Sequence, residues 1–250
     1  MAQLSAIVIT KNEAANIGDC LDSLAFCDER IVVDCGSTDA TVEIARGKGA
    51  RVEFHEWSGD GPQRNFALSL ATGNWVLNLD ADERVPPALA AEIKTAVAAG
   101  GGADAYEFPR LNSFCGQPIR HSGWYPDYVL RLFRRGKGRF KDVSVHTRLA
   151  CDGPIGRLRQ PLVHYAMPTL EAALSRVNGY STARAQMMIE SGRRVTFFSG
   201  IGHGVFAFLR SYILRAGFLD GAEGFLVAVV SAETSYYPYM KAWLAKRKRQ

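Results

Sequence analysis

The 250-residue sequence predicts an α/β protein built on a mostly parallel sheet. Three short apolar runs are each followed by a segment with helical character, and strands that alternate with helices at this spacing form parallel sheets with right-handed crossovers. A fourth apolar run, Trp75–Leu79, reads as a buried strand and ends abruptly in Asp80 and Asp82. Two carboxylates at that point indicate a strand that emerges at the sheet edge where α/β proteins bind ligands.

The first hundred residues supply the alternating elements in order. Strands are expected at Leu4–Thr10, Ile31–Asp34, Arg51–His55 and Trp75–Leu79. Helices are expected over Ala14–Leu24, Ala40–Arg46, Gln63–Leu70 and Leu89–Ala99. The turn residues that follow Asp34 include a Gly and two hydroxyl side chains, which suit a tight turn and a helix N-cap.

The pattern changes in the middle of the chain and again after Pro161. Strands are expected at Ala105–Pro109, Tyr128–Phe133 and, as a short pair, within Arg139–Leu149. Helical segments are then expected at Leu170–Ile189, Val205–Phe218 and Phe225–Val230. We therefore predict an α/β domain over residues 1–165 and a helical region over residues 166–250.

Composition and charge limit the classes of protein to consider. The formal net charge is +5, but Arg110–Gln160 holds eleven Lys/Arg against three Asp, which gives +8 there and 5 − 8 = −3 elsewhere. A basic segment beside acidic strand ends indicates an anionic partner. The five scattered cysteines fit a reducing cytoplasm, and neither a signal peptide nor an uninterrupted apolar run of about 18–20 residues is expected.

Polar side chains at the strand ends are the candidates for chemistry. Asp80 and Asp82 would repel each other unless a cation lay between them, and a hard divalent ion with phosphate oxygens suits such a pair. Asp34 can accept a hydrogen bond from a base or a ribose, and the planar fork of Arg64 suits a base or a phosphate. The alternative is that Asp34 and Asp82 only cap the helices that follow and Asp80 is solvated.

Several segments resemble, in order, the motifs of family 2 glycosyltransferases with a GT-A fold. The family-wide motifs match Ile7–Glu13, Val32–Asp39 and Leu79–Glu83. Further segments are similar to the bacterial lipopolysaccharide-core branch, which includes β-glucosyltransferases: Gln63–Ala67, Gly123–Tyr128, Arg131–Arg134, 145–146 and Gly217–Gly221. The resemblance covers nearly the whole chain and implies that residues 1–165 form a GT-A catalytic domain.

The resemblance also implies an activity and a set of roles. The expected reaction is inverting transfer of glucose or another hexose from a nucleotide-diphosphate donor, expected to be a UDP-sugar, to a hydroxyl of a lipopolysaccharide-core or other cell-envelope glycan. Asp127 would be the catalytic base. The donor-side roles would fall to Thr10, Glu13, Asp34 and Arg64 for the nucleotide, Asp80 for ribose or metal, and Asp82 for Mg²⁺ or Mn²⁺.

The chain departs from the family pattern at two places, and two of its histidines, His146 and His121, could be either functional or structural. Cys35 stands where many members carry a second Asp, and the interval from Asp82 to Asp127 is shorter than in many members. His146 is a candidate metal ligand or diphosphate donor, with a structural histidine as the alternative. His121 could line a sugar pocket or simply pack, and His164 is interpreted as structural.

The chemistry of transfer agrees with these roles. A deprotonated acceptor hydroxyl needs a base, and the diphosphate leaving group needs a Lewis acid. Two other hypotheses are a non-catalytic nucleotide-sugar or glycan-binding protein and a nucleic-acid binder. The presence of Asp127 beside the acidic strand end argues against the first, and the lack of a nucleic-acid motif argues against the second.

The helical tail is predicted to lie on the inner face of the cytoplasmic membrane and to bring the site to a lipid-linked or phosphorylated glycan. Phe206, Leu209 and Ile213 share one helical face, and Phe225–Val230 would continue it. Arg210, Arg215 and the basic residues 246–249 could reach anionic headgroups. The alternative is that these helices pack on the α/β domain or form a dimer interface.

Overall fold

Four parallel strands connected by helices form the first half of the chain in the computed structural model. The structure describes residues 4–100, 102–143 and 146–247, without the side chains of residues 142, 143 and 146. The strands are β1 (Leu4–Thr10), β2 (Glu29–Asp34), β3 (Arg51–Phe54) and β4 (Trp75–Asp80). They pair in the order β3-β2-β1-β4. In this register Thr10 lies beside Asp34 and Ile9 lies beside Asp80, so the polar strand ends share one edge.

The helices between these strands differ from the expected bounds in small ways. They are α1 (Ile17–Ser23), α2 (Thr41–Gly47), α3 (Asp60–Leu70) and α4 (Pro87–Ala99). α1 begins later than expected because the Glu13 carbonyl accepts bonds from the Asn16 and Ile17 amides in a separate turn. α3 begins before Pro62, because a proline costs nothing in the first helical turn, where its missing N–H has no intrahelical partner.

The sheet continues beyond β4 with antiparallel pairs. The later strands are β5 (Glu83–Arg84), β6 (Ala105–Phe114), β7 (Gln117–Pro118), β8 (Asp127–Arg134), β9 (Gly138–Val143), β10 (His146–Cys151), β11 (Ile155–Arg157) and β12 (Leu162–Met167). The main order is β3-β2-β1-β4-β8-β6-β12-β5, with β7 and β11 also paired to β6, and β9 with β10 forms a separate hairpin. The predicted α/β class is confirmed, with the parallel strands in the first half and mixed pairing in the second.

The described part of the chain divides into two compact units. One consists of Met1–Arg110 with Asp127–His164, and the other of Leu111–Pro126 with Tyr165–Gln250. In the first, apolar side chains such as Val8, Trp75 and Leu79 are buried beneath the helices on one face of the sheet, and Ile7 and Phe133 are buried on the other. The domain boundary predicted at residue 165 stays a prediction.

The second unit is mainly helical. Its helices are α5 (Leu170–Glu190), α6 (Phe197–Leu209) and α7 (Gly221–Arg247), with a π-helical turn at Arg210–Leu214 and a 3₁₀ turn at Gly217–Asp220. The expected helix Val205–Phe218 is therefore interrupted, and Ala216 adopts a left-handed φ of 52° at the break. Of the segment Phe225–Val230, which was expected to continue the apolar face, Phe225 is exposed, whereas Val227, Ala228 and Val230 are buried.

Candidate active site

The loops that follow β1 and β2 are tied together by side-chain to backbone hydrogen bonds. The Asn12 amide donates to the Ser37 hydroxyl at 2.8 Å, and the Thr38 amide donates to Asn12 Oδ1 at 2.8 Å. The Glu13 amide donates to Thr41 Oγ1 at 2.8 Å. Asn12 has a φ of 55°, a left-handed conformation that Asn tolerates better than most residues. These two loops form one shaped surface at the carboxyl ends of β1 and β2, and we call it the loop cradle.

The three nucleotide-site residues predicted near this cradle differ in how they are engaged. Asp34 is buried and accepts bonds from the Gly36 and Ser37 amides, both at 2.9 Å, and from the Ser37 hydroxyl. These bonds hold the turn after β2 and do not cap α2, whose N-cap is Ala40. Glu13 accepts a bond from Asn16 Nδ2 at 2.7 Å. The Thr10 hydroxyl is buried without a partner among the described residues. A buried hydroxyl in that state is suited to a ligand or a water.

Asp80 lies between two arginines. Its Oδ1 accepts a bond from Arg64 Nη2 at 2.6 Å, and its Oδ2 accepts one from Arg131 Nη2 at 2.5 Å. Burial opposes ionisation of this carboxyl, but Arg131 and Arg64 outweigh it and hold the pKa of Asp80 well below its usual range. Arg64 also donates to Asp60 and Asn78, so its guanidinium is anchored in the protein. In this arrangement both oxygens of Asp80 are occupied by protein cations.

Glu83 connects Arg131 of this cluster to Arg110 on β6. Its side chain has no solvent exposure, and its Oε2 accepts a bond from the Asp80 amide at 3.0 Å. Its Oε1 accepts bonds from Arg131 Nη2 at 2.7 Å and from Arg110 Nη1 at 3.2 Å. A buried carboxylate is tolerated only when it is paired and hydrogen-bonded, and Glu83 meets both conditions.

Asp127, the predicted base, begins β8 directly opposite Arg110 on β6. Arg110 Nη2 and Nε donate to Asp127 Oδ2 at 2.7 and 3.0 Å. The Asp127 side chain is 39% exposed, so solvent and a substrate can reach it. Its Oδ1 accepts no hydrogen bond from the described residues.

Asp82 lies next to His164, a residue interpreted as structural from the sequence. His164 Nε2 lies 3.3 Å from Asp82 Oδ2, and both side chains are mostly buried. The separation fits either a hydrogen bond or two donors on one ion. No cluster of three or more metal-ligating side chains occurs among the described residues. One carboxylate and one imidazole fit a cation that completes its coordination with substrate phosphates and water.

Two other histidines, His146 and His121, were candidates for this site. The side chain of His146 lies outside the described residues, so its predicted metal role stays a prediction. His121 belongs to the second unit, where its Nδ1 lies 2.8 Å from Asp220 Oδ1. Asp220 also accepts a bond from the His121 amide at 2.8 Å, so His121 is held by the last residue of the 3₁₀ turn.

Sequence reasoning missed Arg110, Arg131 and His164 as parts of this site. Arg131 and His164 interrupt largely apolar stretches of β8 and β12, and Arg110 lies in the mixed strand β6. A charged or imidazole side chain that is mostly buried in a strand requires a partner. That requirement is the signal in the sequence that could have identified these three residues. The sequence could not identify their carboxylate partners, because the paired residues lie far apart in the chain.

Comparison with known proteins gives consistent relatives. Residues 5–152 match the family described as Glycosyl transferase family 2. The chain is 33% identical to the lipopolysaccharide core biosynthesis glycosyltransferase LpsC of Rhizobium meliloti, over 96% of this chain and 92% of that protein. It is 30% identical to an uncharacterized glycosyltransferase of Rickettsia typhi, over 93% of this chain and 84% of that protein.

Similarity to solved structures is more limited. A structure of glucosyl-3-phosphoglycerate synthase from Mycobacterium tuberculosis matches with a TM-score of 0.38 and 26% identity, over 45% of this chain and 44% of that one. A similarity of that extent has no bearing on substrate or metal.

Proposed function

The chain belongs to glycosyl transferase family 2, and on that premise we propose that it is an inverting, metal-dependent hexosyltransferase. The observation that supports this most is that one compact unit holds both kinds of group that transfer requires. Asp82 with His164 can bind a cation, and Asp127 has one carboxylate oxygen free of described partners. The transferred sugar would be glucose or another hexose, and the donor would be a UDP-sugar.

The donor would occupy the edge formed by the loop cradle and the end of β4. The buried Thr10 hydroxyl would donate to or accept from the nucleotide, with Asp34, Glu13 and Arg64 shaping the surface around it. Asp82 and His164 would hold Mg²⁺ or Mn²⁺, with His146 and Asp80 as further candidates. When bound, the cation would act as a Lewis acid on the diphosphate leaving group.

Transfer would then be a single displacement. The acceptor hydroxyl gives its proton to Asp127 as its oxygen forms a bond to the anomeric carbon. The bond from that carbon to the diphosphate oxygen breaks, and the diphosphate leaves with the electron pair. One displacement with one base inverts the anomeric centre, and the base contributes about 10²–10⁴-fold to the rate.

Binding of UDP in the presence and absence of Mn²⁺ tests this proposal most directly. Calorimetry should give metal-dependent binding of UDP and no comparable binding of a single-stranded oligonucleotide. A panel of nucleotide sugars, scored for hydrolysis or transfer, would then identify the donor. Metal-dependent UDP binding without turnover on any donor would favour the alternative, a non-catalytic nucleotide-sugar or glycan-binding protein.

The acceptor we propose is a hydroxyl of a lipopolysaccharide-core or related cell-envelope glycan, and the enzyme would work in the cytoplasm at the inner membrane. The name of the Rhizobium relative supports this class of acceptor. The basic segment Arg110–Gln160 suits a phosphorylated glycan, and nucleic acid is not expected to bind.

Membrane association is supported by exposed apolar side chains around the break between α6 and α7. The group comprises Phe206, Leu209, Ile213, Leu214, Phe218, Leu219 and Phe225, each at least 42% exposed. We call this group the apolar elbow. Phe197–Leu214 also has the length and composition of a membrane span, and 22% of it is buried. Single exposed apolar residues are normal in proteins, whereas seven of them between residues 206 and 225 favour an interaction site.

The charge of the second unit favours an anionic bilayer as the partner of the apolar elbow. Residues 111–126 and 165–250 contain twelve Lys/Arg and five Asp/Glu, so this unit carries 12 − 5 = +7 and the rest of the chain 5 − 7 = −2. Arg210 and Arg215 lie within the elbow segment itself. Each basic residue near an anionic surface contributes about 1 kcal/mol.

Replacement of Leu214 and Leu219 together by Asp should release the protein from anionic liposomes. The wild-type chain should float with phosphatidylglycerol-containing vesicles at low salt, because the elbow side chains enter the interface. Leu174→Asp, which changes an exposed leucine on α5, is the matched control and should still float. A wild-type chain that stays unbound at low salt, or a double variant that floats normally, would contradict the prediction. A dimer that dissociates in the double variant would assign the elbow to a second copy instead.

A further inference from the structure

The guanidinium of Arg110 joins two carboxylates that have different surroundings. On one side it donates through Nη1 to Glu83, which is fully buried. On the other it donates through Nη2 and Nε to Asp127, which is partly exposed. Arg110 and Asp127 also face each other in the register of β6 and β8, so the backbone holds the pair together as well.

Glu83 provides a fixed anchor for this arginine. Its other oxygen accepts a bond from the Asp80 amide, and Arg131 joins it to the Asp80 carboxylate. Three carboxylates and three guanidinium groups therefore alternate through one network: Arg64, Asp80, Arg131, Glu83, Arg110 and Asp127. Burial of such charges is tolerated because each is paired, and removal of one partner leaves the next unpaired.

We propose that Arg110 is a positioning residue for transfer, which holds Asp127 by Oδ2 and leaves Oδ1 as the proton acceptor. The proposal rests on the proposed function, in which Asp127 is the base. Two N–H groups of one arginine grip Oδ2 and fix the location of that oxygen. Without that grip the carboxylate would sample other rotamers, and a misplacement of about 1 Å can cost roughly 10²-fold in rate.

A double-mutant cycle tests the role. Arg110→Gln should lower kcat about 10²-fold and leave UDP affinity unchanged, because its effect acts through Asp127. In an Asp127→Asn background, the same change should cause no further loss. Arg110→Lys keeps the positive charge but loses the planar guanidinium, and it should recover part of the rate. If the Arg110→Gln variant does not fold, the Lys variant replaces it in the double-mutant cycle. Arg51→Gln removes an exposed pairing with Glu53 on strand β3 and should leave kcat unchanged.

The outcomes separate this role from the proposed function. Equal losses from Arg110→Gln in both backgrounds would show that the arginine acts independently of Asp127 and would overturn the positioning role alone. Normal kcat in the folded Arg110→Gln variant would also overturn it. Near-normal turnover of Asp127→Asn by itself would overturn the base assignment, and the positioning role would fall with it.

Discussion

Asp127→Asn is expected to lower kcat by about 10²–10⁴-fold, because an amide cannot take the acceptor proton. UDP affinity should be unchanged, since the nearest described partner of Asp127 is Arg110 rather than a residue of the loop cradle. Single-turnover transfer and nucleotide calorimetry would measure the two quantities separately. Asp22→Asn, in an exposed pair with Lys48, serves as the control and should be silent.

A different result would move the base elsewhere. A variant that loses UDP affinity while kcat is retained would place Asp127 on the donor side. Glu83 is then a poor replacement, because it is fully buried and bound to two arginines. His146 would become the candidate to test.

Asp82→Asn is expected to abolish detectable transfer with little effect on folding. The change removes the carboxylate that we propose as a metal ligand and replaces it with an amide of the same size. His164→Gln should weaken the same ion, because the imidazole lies 3.3 Å from that carboxylate. Binding of Mn²⁺ in the presence of UDP, followed by electron paramagnetic resonance, provides a readout besides activity.

The comparison with Asp80→Asn sharpens this test. Asp80 is held by Arg64 and Arg131, so its variant should weaken nucleotide and metal binding together by disturbing the network. If Asp82→Asn kept near-normal turnover at ordinary Mn²⁺ concentrations, the metal role of Asp82 would be wrong. Thermal unfolding of each variant controls for loss of structure.

The parallel half of the fold could be predicted because its signals are local. Each apolar run such as Leu4–Thr10 is long enough to identify a buried strand, and each is followed by helical spacing. The pairing of β6, β8 and β12 could not be predicted, because antiparallel partners are selected by packing between distant segments. The break after α6 was also missed, since the apolar pattern continues through the π-helical turn at Arg210–Leu214.

The candidate site divides in the same way. The strand-end residues Asp34, Asp80 and Asp82 could be identified because each lies at or within two residues of the end of an apolar strand. Their partners could not, because Arg131 reaches Asp80 across 51 residues and His164 reaches Asp82 across 82. Such long-range pairs depend on the order of strands in the sheet, which the sequence pattern does not encode locally.

The ties between Asn12, Ser37 and Thr38 have a consequence for how fast a nucleotide would bind. Because these loops are already held to each other, binding should require little ordering of the backbone, and the entropic penalty of loop closure is avoided. The observed association rate should then rise linearly with nucleotide concentration, without the plateau that a slow rearrangement imposes. Discrimination among nucleotides would accordingly be found in their residence times on the protein.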